Sequence, residues 1–128
     1  MVDIVSDPFP SADALDELWR SAWGTPPPAR LQAMLERSLG HVGAVDDLRY
    51  MGFVNVAWDS GIHAFLLDTC VHADWQRQGI ATAMVQRAVE IARERGAQWL
   101  HVDFEPHLDG FYRRCGFRPT HAGLVRLG

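Results

Sequence analysis

Lysine is missing altogether: all 12 basic side chains are arginines, so any cationic side-chain contact to a phosphate falls to a guanidinium. Basic charge as a whole is also scarce. Against 16 acidic residues the formal net charge is -4, which argues against a nucleic-acid partner, because such a partner asks for a basic face. The two cysteines, Cys70 and Cys115, have neither the spacing of a metal site nor the density of a disulfide framework, and both are expected to be reduced thiols. His63, His72 and His121 show no spacing that suggests a metal, so none is expected. Long apolar runs are absent too. No segment is long enough to span a bilayer, and Met1-Val2-Asp3-Ile4 lacks the basic region and apolar stretch of a leader, so the expectation is a cytoplasmic protein with no membrane partner. What remains, 128 residues of which 48% are hydrophobic, suits one core and a single domain over 1–128.

The apolar periodicity changes along the chain. Val2 to Val5 reads as a short strand stopped by Asp7-Pro8-Phe9-Pro10, since proline cannot donate to a ladder. Ser11 reads as the N-cap of a helix from Ala12 to Trp23 that buries Leu15, Leu18, Trp19, Ala22 and Trp23. Gly24-Thr25-Pro26-Pro27-Pro28 cannot continue it and should form a stiff extended connection. A second helix is expected from Ala29 to Leu39, with Gly40 as its C-cap. The period then shortens to two residues. Val42 to Val45, Arg49 to Trp58 and Ile62 to Val71 should pair antiparallel through the turns Asp46-Asp47 and Asp59-Ser60-Gly61, with Gly61 taking a positive φ. An amphipathic helix from Ile80 ends at Arg95 and Gly96. Gln98 to Phe104 should be a buried strand, His107 to Cys115 a short helix, and Phe117 to Leu127 one or two terminal strands.

The stretch from Phe65 to Ala92 dominates this pattern: an apolar strand, then Asp74-Trp75-Gln76-Arg77-Gln78-Gly79-Ile80-Ala81, then the long helix. At a helix start the first N–H groups lack intrahelical partners and the macrodipole adds positive charge, so an anion, a diphosphate above all, fits there. Gly79 and Ala81 let a ligand approach the backbone closely. The order Gln76-x-x-Gly79-x-Ala81 after a strand ending at Val71 resembles the coenzyme A loop of the GNAT superfamily of N-acetyltransferases. Downstream, Phe111-Tyr112-Arg113-Arg114-Cys115-Gly116-Phe117 resembles the Tyr-x-x-x-Gly-Phe segment of the same superfamily. The two segments lie one helix and one strand apart, as that superfamily requires. Ala73 stands where Pro is common, and Glu105, Pro106 and His107 occupy the region where an Asn often meets the cofactor.

The resemblance implies a mixed α/β fold of α+β character, with a mixed, mostly antiparallel sheet of about six to seven strands flanked by about four helices. It implies acetyl-CoA as co-substrate, its pyrophosphate on Gln76, Arg77, Gln78, Gly79, Ile80, Ala81 and Thr82. A backbone N–H near Cys70 or Val71 would donate to the thioester carbonyl, where negative charge grows under attack by an amine. The implied reaction moves an acetyl group directly to a primary amine of a small molecule, peptide or protein. The alternative is a non-catalytic acetyl-CoA-binding module of the same fold.

Tyr112 is then the candidate general acid for the departing thiolate, since thiol and phenol pKa values of roughly 8.5 and 10 lie close enough for proton transfer. Asp68 is the candidate base, with His101 and Asp103 as further choices on the strands that flank the cofactor. Arg77, Arg113 and Arg114 could reach a phosphate. Trp19, Trp23, Thr25, the prolines and Trp58 are candidates for the acceptor wall, and Trp75 for a shield at the loop. A homodimer is left open.

Overall fold

The computed structural model describes residues 1–128. Five strands, β1 (Asp3–Ser6), β2 (Gly40–Asp46), β3 (Arg49–Trp58), β4 (His63–Val71) and β5 (Trp99–His101), form one sheet in the order β1-β2-β3-β4-β5. The first three pairings are antiparallel and β4 with β5 is parallel. Helices α1 (Ala12–Trp23) and α2 (Leu31–Arg37) cover one face, and α3 (Ile80–Glu94) covers the other, with α4 (Asp109–Arg114) beyond it.

Each face has its own apolar core. On the α3 face, Val42, Ala44, Val54, Val56, Ala64 and Leu66 of the sheet meet Met84, Val85, Ala88 and Ile91. On the other, Leu15, Leu18 and Trp19 of α1 and Leu31 and Leu35 of α2 close over Phe53 and Cys70. The alternation of Val54 and Val56 against Phe53 is the two-residue period of a strand covered on both sides. Ser11 caps α1 as its spacing suggests, its Oγ accepting from the Ala14 N–H at 3.1 Å.

Several expectations are corrected. The sheet has five strands instead of six to seven, because Phe117 to Leu127 pairs with nothing and residues 118–128 are all exposed. Pro119 lacks a donor and Gly123 gives no side chain to pack, so this segment has little to fix it against its own sheet. β5 is three residues long and not buried. Gly40 opens β2 and caps no helix; a Cβ there would lie 2.7 Å from both Arg95 and Ile91, so the glycine answers to the approach of α3. The second helix is shorter than its apolar spacing indicates, with Arg30 left outside it and Ser38 at its end. In the β3–β4 hairpin the positive φ, 65°, falls on Ser60 and not on Gly61, because the Asp59 carboxylate accepts from the Gly61 N–H at 2.7 Å and holds that residue otherwise.

β4 also carries a feature that periodicity does not reveal. Phe53 pairs with Cys70 and Asn55 with Leu67, so Asp68 and Thr69 together oppose Val54. This is a β-bulge, with Asp68 at φ 59°, and it reverses the facing of everything after it. Cys70 thereby joins the α1 side, where Phe53 lies.

Candidate active site

The site starts where two parallel strands part. β4 and β5 pair only through His63↔Trp99, Ala64↔Leu100 and Phe65↔His101. Beyond Phe65, β4 continues through its bulge to Val71 while β5 has ended, so its backbone from Leu66 onward has no strand beside it on that side. Backbone polar groups in such a gap are available to an extended ligand, which can pair with them as a strand would.

At the far end of β4 the chain turns through Ala73–Trp75 in a short 3₁₀ segment. His72 is buried there, its Nδ1 accepting from the Asp74 N–H at 3.2 Å, so this histidine shapes the turn. The Ala73 N–H donates to Ser21 Oγ at 3.0 Å and ties the turn to α1. The Gln76 amide reaches back to the Val71 carbonyl at 3.3 Å. Trp75 is half-buried against the α3-side core, consistent with a shield. Gly79, at φ 82°, is the N-cap of α3, with no side-chain cap and no acidic residue in the first helical turn. A residue with a Cβ is strained in that conformation. The N–H groups that open α3, on Ile80, Ala81 and Thr82, therefore lack the carboxylate or hydroxyl that usually meets them. Arg77 adopts φ 63° within the same turn. Gln76, Arg77, Gln78 and Gly79 are exposed while Ile80 is buried, so an anion has access to the loop and the helix is anchored beneath it.

Tyr112 lies across the gap on α4, 5% exposed. Phe104 stacks on its ring at 4.7 Å, and Phe111 and Phe117 meet it edge-on at 4.9 and 5.6 Å. Burial pushes the phenol pKa up, and the nearby Thr69 side chain pulls it partly back. The phenol is therefore protonated at neutral pH, and it sits beside the β4 bulge. Thr69 was not among the residues singled out from sequence. No local pattern marks it, since its position follows from the bulge and from the docking of α4.

Asp68 is half-buried at the same bulge, and desolvation raises its carboxyl pKa, the direction that suits a group asked to accept a proton. Cys70 is buried, its thiol pushed up to about 12 by burial and by the Asp68 charge. That holds it as a neutral thiol and agrees with reading it as a small apolar filler. Val71 packs half-buried against the α3-side core.

The other candidates are dispersed. His101 is engaged at the closed end of the strand pair, its Nε2 2.8 Å from His63 Nδ1 and its ring stacked on Phe65. Asp103 is exposed, close enough to Tyr112 to raise its pKa slightly. Arg113 is held by Asp109 at 2.6 Å. Trp19 belongs to the core, Trp23 stands half exposed against it, and Trp58 donates from Nε1 to the Arg37 carbonyl at 3.1 Å. Pro26, Pro27 and Pro28 fold back on the first half of α1, where they line a groove of about 320 Å³ with Asp13 and Asp16. The turn at Ala73, which leads into the start of α3, touches the other end of α1, at Ser21.

A model of the acetyltransferase (GNAT) family matches residues 4–117. Among curated relatives, an uncharacterized N-acetyltransferase of Porphyra purpurea is 28% identical over 69 residues, covering 54% of this chain and 40% of the relative. A glucosamine 6-phosphate N-acetyltransferase of Oryza sativa is 40% identical over 50 residues, covering 39% of this chain and 30% of the relative. The chain spans about half or less of the length of the curated relatives it matches. Among solved structures, a GNAT-family acetyltransferase of Streptococcus pneumoniae superposes with a TM-score of 0.80 at 22% identity, covering 100% of this chain and 98% of the other. An aminoglycoside N-acetyltransferase in complex with CoA superposes with a TM-score of 0.78 at 17% identity, covering 100% and 95%. At such identities the likeness concerns the fold.

Proposed function

The chain belongs to the GNAT acetyltransferase family, and on that premise we propose that it transfers an acetyl group from acetyl-CoA directly to a primary amine, with no covalent intermediate on the protein. The observation that carries this reading is the placement of the Tyr112 phenol beside the β4 bulge, at the gap that opens after Phe65↔His101. In this reading the pyrophosphate lies on the turn from Gln76 to Gly79 and on the N–H groups of Ile80, Ala81 and Thr82. The pantetheine arm extends along the free side of β4 and brings the thioester to the bulge near Cys70 and Val71. An attacking amine adds to the thioester carbon, backbone N–H groups meet the charge on its oxygen, and collapse expels the thiolate. Tyr112 protonates the sulfur. The amine loses its proton to Asp68, directly or through water; an alkylammonium of pKa about 10.4 needs roughly 4.6 kcal/mol to be neutral at pH 7, and desolvation in the site lowers that cost. A cysteine nucleophile is disfavoured by the neutral Cys70 thiol.

The test is release of free CoA thiol from acetyl-CoA in the presence of a panel of primary amines. Thiol release that depends on one amine class supports the transferase. Calorimetric binding of acetyl-CoA with no release across the panel would replace it with the non-catalytic acetyl-CoA-binding module.

A further inference from the structure

We propose that His63 and His101 form a surface site for a divalent transition-metal ion of the Cu²⁺ and Ni²⁺ class, which staples β5 to β4 at the closed end of the gap. Nδ1 of His63 lies 2.8 Å from Nε2 of His101. The two residues are 38 positions apart and on different strands, so no local spacing reveals the pair. Strand register brings them together. His63 stands opposite Trp99 and Phe65 opposite His101, so the histidines sit diagonally across the parallel pair with their side chains on one face of the sheet.

Distance and ligand chemistry select the ion. Metal–imidazole bonds of about 2.0–2.1 Å place two nitrogens roughly 2.8–3.4 Å apart when they occupy neighbouring positions around one ion, the lower figure for a right angle and the upper for a tetrahedral one. The observed separation falls at the right-angled end, which is the square-planar or tetragonal geometry of Cu²⁺ and Ni²⁺. Imidazole suits both ions, and the usual order of affinities puts Cu²⁺ above Ni²⁺. In the free pair one ring nitrogen donates to the other. On binding, the shared proton moves to the outer nitrogen of its own ring, so two neutral imidazoles present lone pairs to the ion and no proton leaves the pair.

The surroundings favour an ion. The His101 ring stacks on Phe65, with centroids 4.8 Å apart and planes 18° from parallel, so one ligand is held in orientation beforehand. Asp59 Oδ1 accepts from the Gly61 and His63 N–H groups at 2.7 and 3.2 Å, which fixes a carboxylate beside His63 and favours a cation there. His101 is exposed and His63 half-buried, so the rings can turn toward a common ion and water can fill its remaining positions. β5 is only three residues long, and Phe65 with His101 is its last pair before the strands part. An ion at this point ties down the pair from which fraying would start.

The test is calorimetry with Ni²⁺ on the full chain, free of any purification tag. One ion per chain is expected, with affinity lowered about tenfold or more in His63→Asn and in His101→Asn, since losing a ligand costs at least as much as losing a group behind one. Cu²⁺ should displace Ni²⁺ from the same site. His121→Asn, at a histidine outside the pair, should leave the affinity unchanged. Ni²⁺ at about ten times its Kd should raise the Tm of the parent chain by roughly 5 °C and leave that of His101→Asn where it was. Failure of the parent chain to bind Ni²⁺ would overturn the proposal. So would full affinity in both pair variants, or a loss that follows His121 instead. Binding at the pair without any rise in Tm would overturn the staple.

Discussion

The two ends of the sheet handle their polar groups in opposite ways. At the β1–β2 end, His41 is fully buried, yet its Nε2 accepts from the Phe9 N–H at 2.9 Å. Its backbone N–H donates to Asp7 Oδ1 at 3.1 Å, and the Asp7 N–H donates to the His41 carbonyl at 2.8 Å. Arg95, from the end of α3, completes the set with Asp7 Oδ2 at 2.6 Å and the Leu39 carbonyl at 2.8 Å. Only His41 Nδ1 lacks a hydrogen bond, and it lies 3.5 Å from Asp7 Oδ1. At the β4–β5 end the pairing stops after Phe65 and His101, and a half-buried carboxylate, Asp68, and a buried phenol, Tyr112, stand beside a bulge, while the start of α3, lying against Val2 and Ile4, has no side-chain cap. The first end fixes α3 against the sheet through its C-terminus. The N-terminus of the same helix is left without a side-chain cap.

Substitutions at the two ends should therefore separate activity from stability. The largest effect is expected for Tyr112→Phe, which keeps the ring packing and removes the proton donor: kcat should fall about 10²-fold or more, with acetyl-CoA affinity little changed. Near-normal turnover in a folded Tyr112→Phe protein would break the contrast at its open end. Next comes Asp7→Ala at the closed end, which leaves the buried His41 N–H without an acceptor. Chemical denaturation should show a loss of about 2 kcal/mol, with acetyl-CoA affinity unchanged when measured well below the midpoint. A loss of affinity as large as the loss of stability would mean that the two ends are coupled.

Gly79→Asp ranks third. Nothing stands within 4 Å of a Cβ at that position, but φ 82° strains any side chain there, so Gly79→Ala serves as the control for strain while Gly79→Asp adds a carboxylate where phosphates would lie. Calorimetry should show acetyl-CoA binding weakened about tenfold or more, roughly 1.4 kcal/mol, and weakened less at high salt. An unchanged affinity would remove this turn from the site.

The smallest effect concerns pH. Burial holds the His41 pKa below its ordinary 6.5, with Asp7 opposing and Arg95 adding to the shift. As pH falls through 6.5 the unfolded chain takes up this proton before the folded one, so stability is full above 6.5 and drains below it, toward the folded pKa. His41→Asn should flatten that part of the stability profile, measured as the denaturation midpoint between pH 7 and 5. Asp7 acts lower on the scale. Its pKa is depressed below 3.8 by Arg95 and the His41 N–H, against the opposing effect of burial, so its contribution is full above 3.8 and lost as pH falls further.

Much of this architecture was legible in the chain because local rules do not need distant partners. Helical spacing and the Ser11 cap placed α1, the change to a two-residue period placed β3 and β4, and the glycine turn before Ile80 marked the start of α3. Gln76 to Thr82 could be read as one unit because a strand, a turn and a helix start are contiguous. Gly40 could not, because its meaning lies in the approach of Arg95 and Ile91 some fifty residues away. The bulge at Asp68 and Thr69 escaped for the same reason: it is a mismatch between two strands, and no single strand records it. The terminal strands were read from apolar residues that would suit a strand, but pairing requires an edge, and the chain's own edge stays unoccupied.

By itself the sequence determined α1, β3, β4 and the start of α3, with the turn from Gln76 to Thr82 and the tyrosine segment as contiguous units, since these rest on periodicity, backbone conformation and short spacings. Only the tertiary structure decided that β4 and β5 separate after Phe65, that Thr69 meets Tyr112, and that Asp7, His41 and Arg95 converge. Those arrangements depend on register and on helix docking, where residues far apart in the chain are brought within a few ångströms of one another.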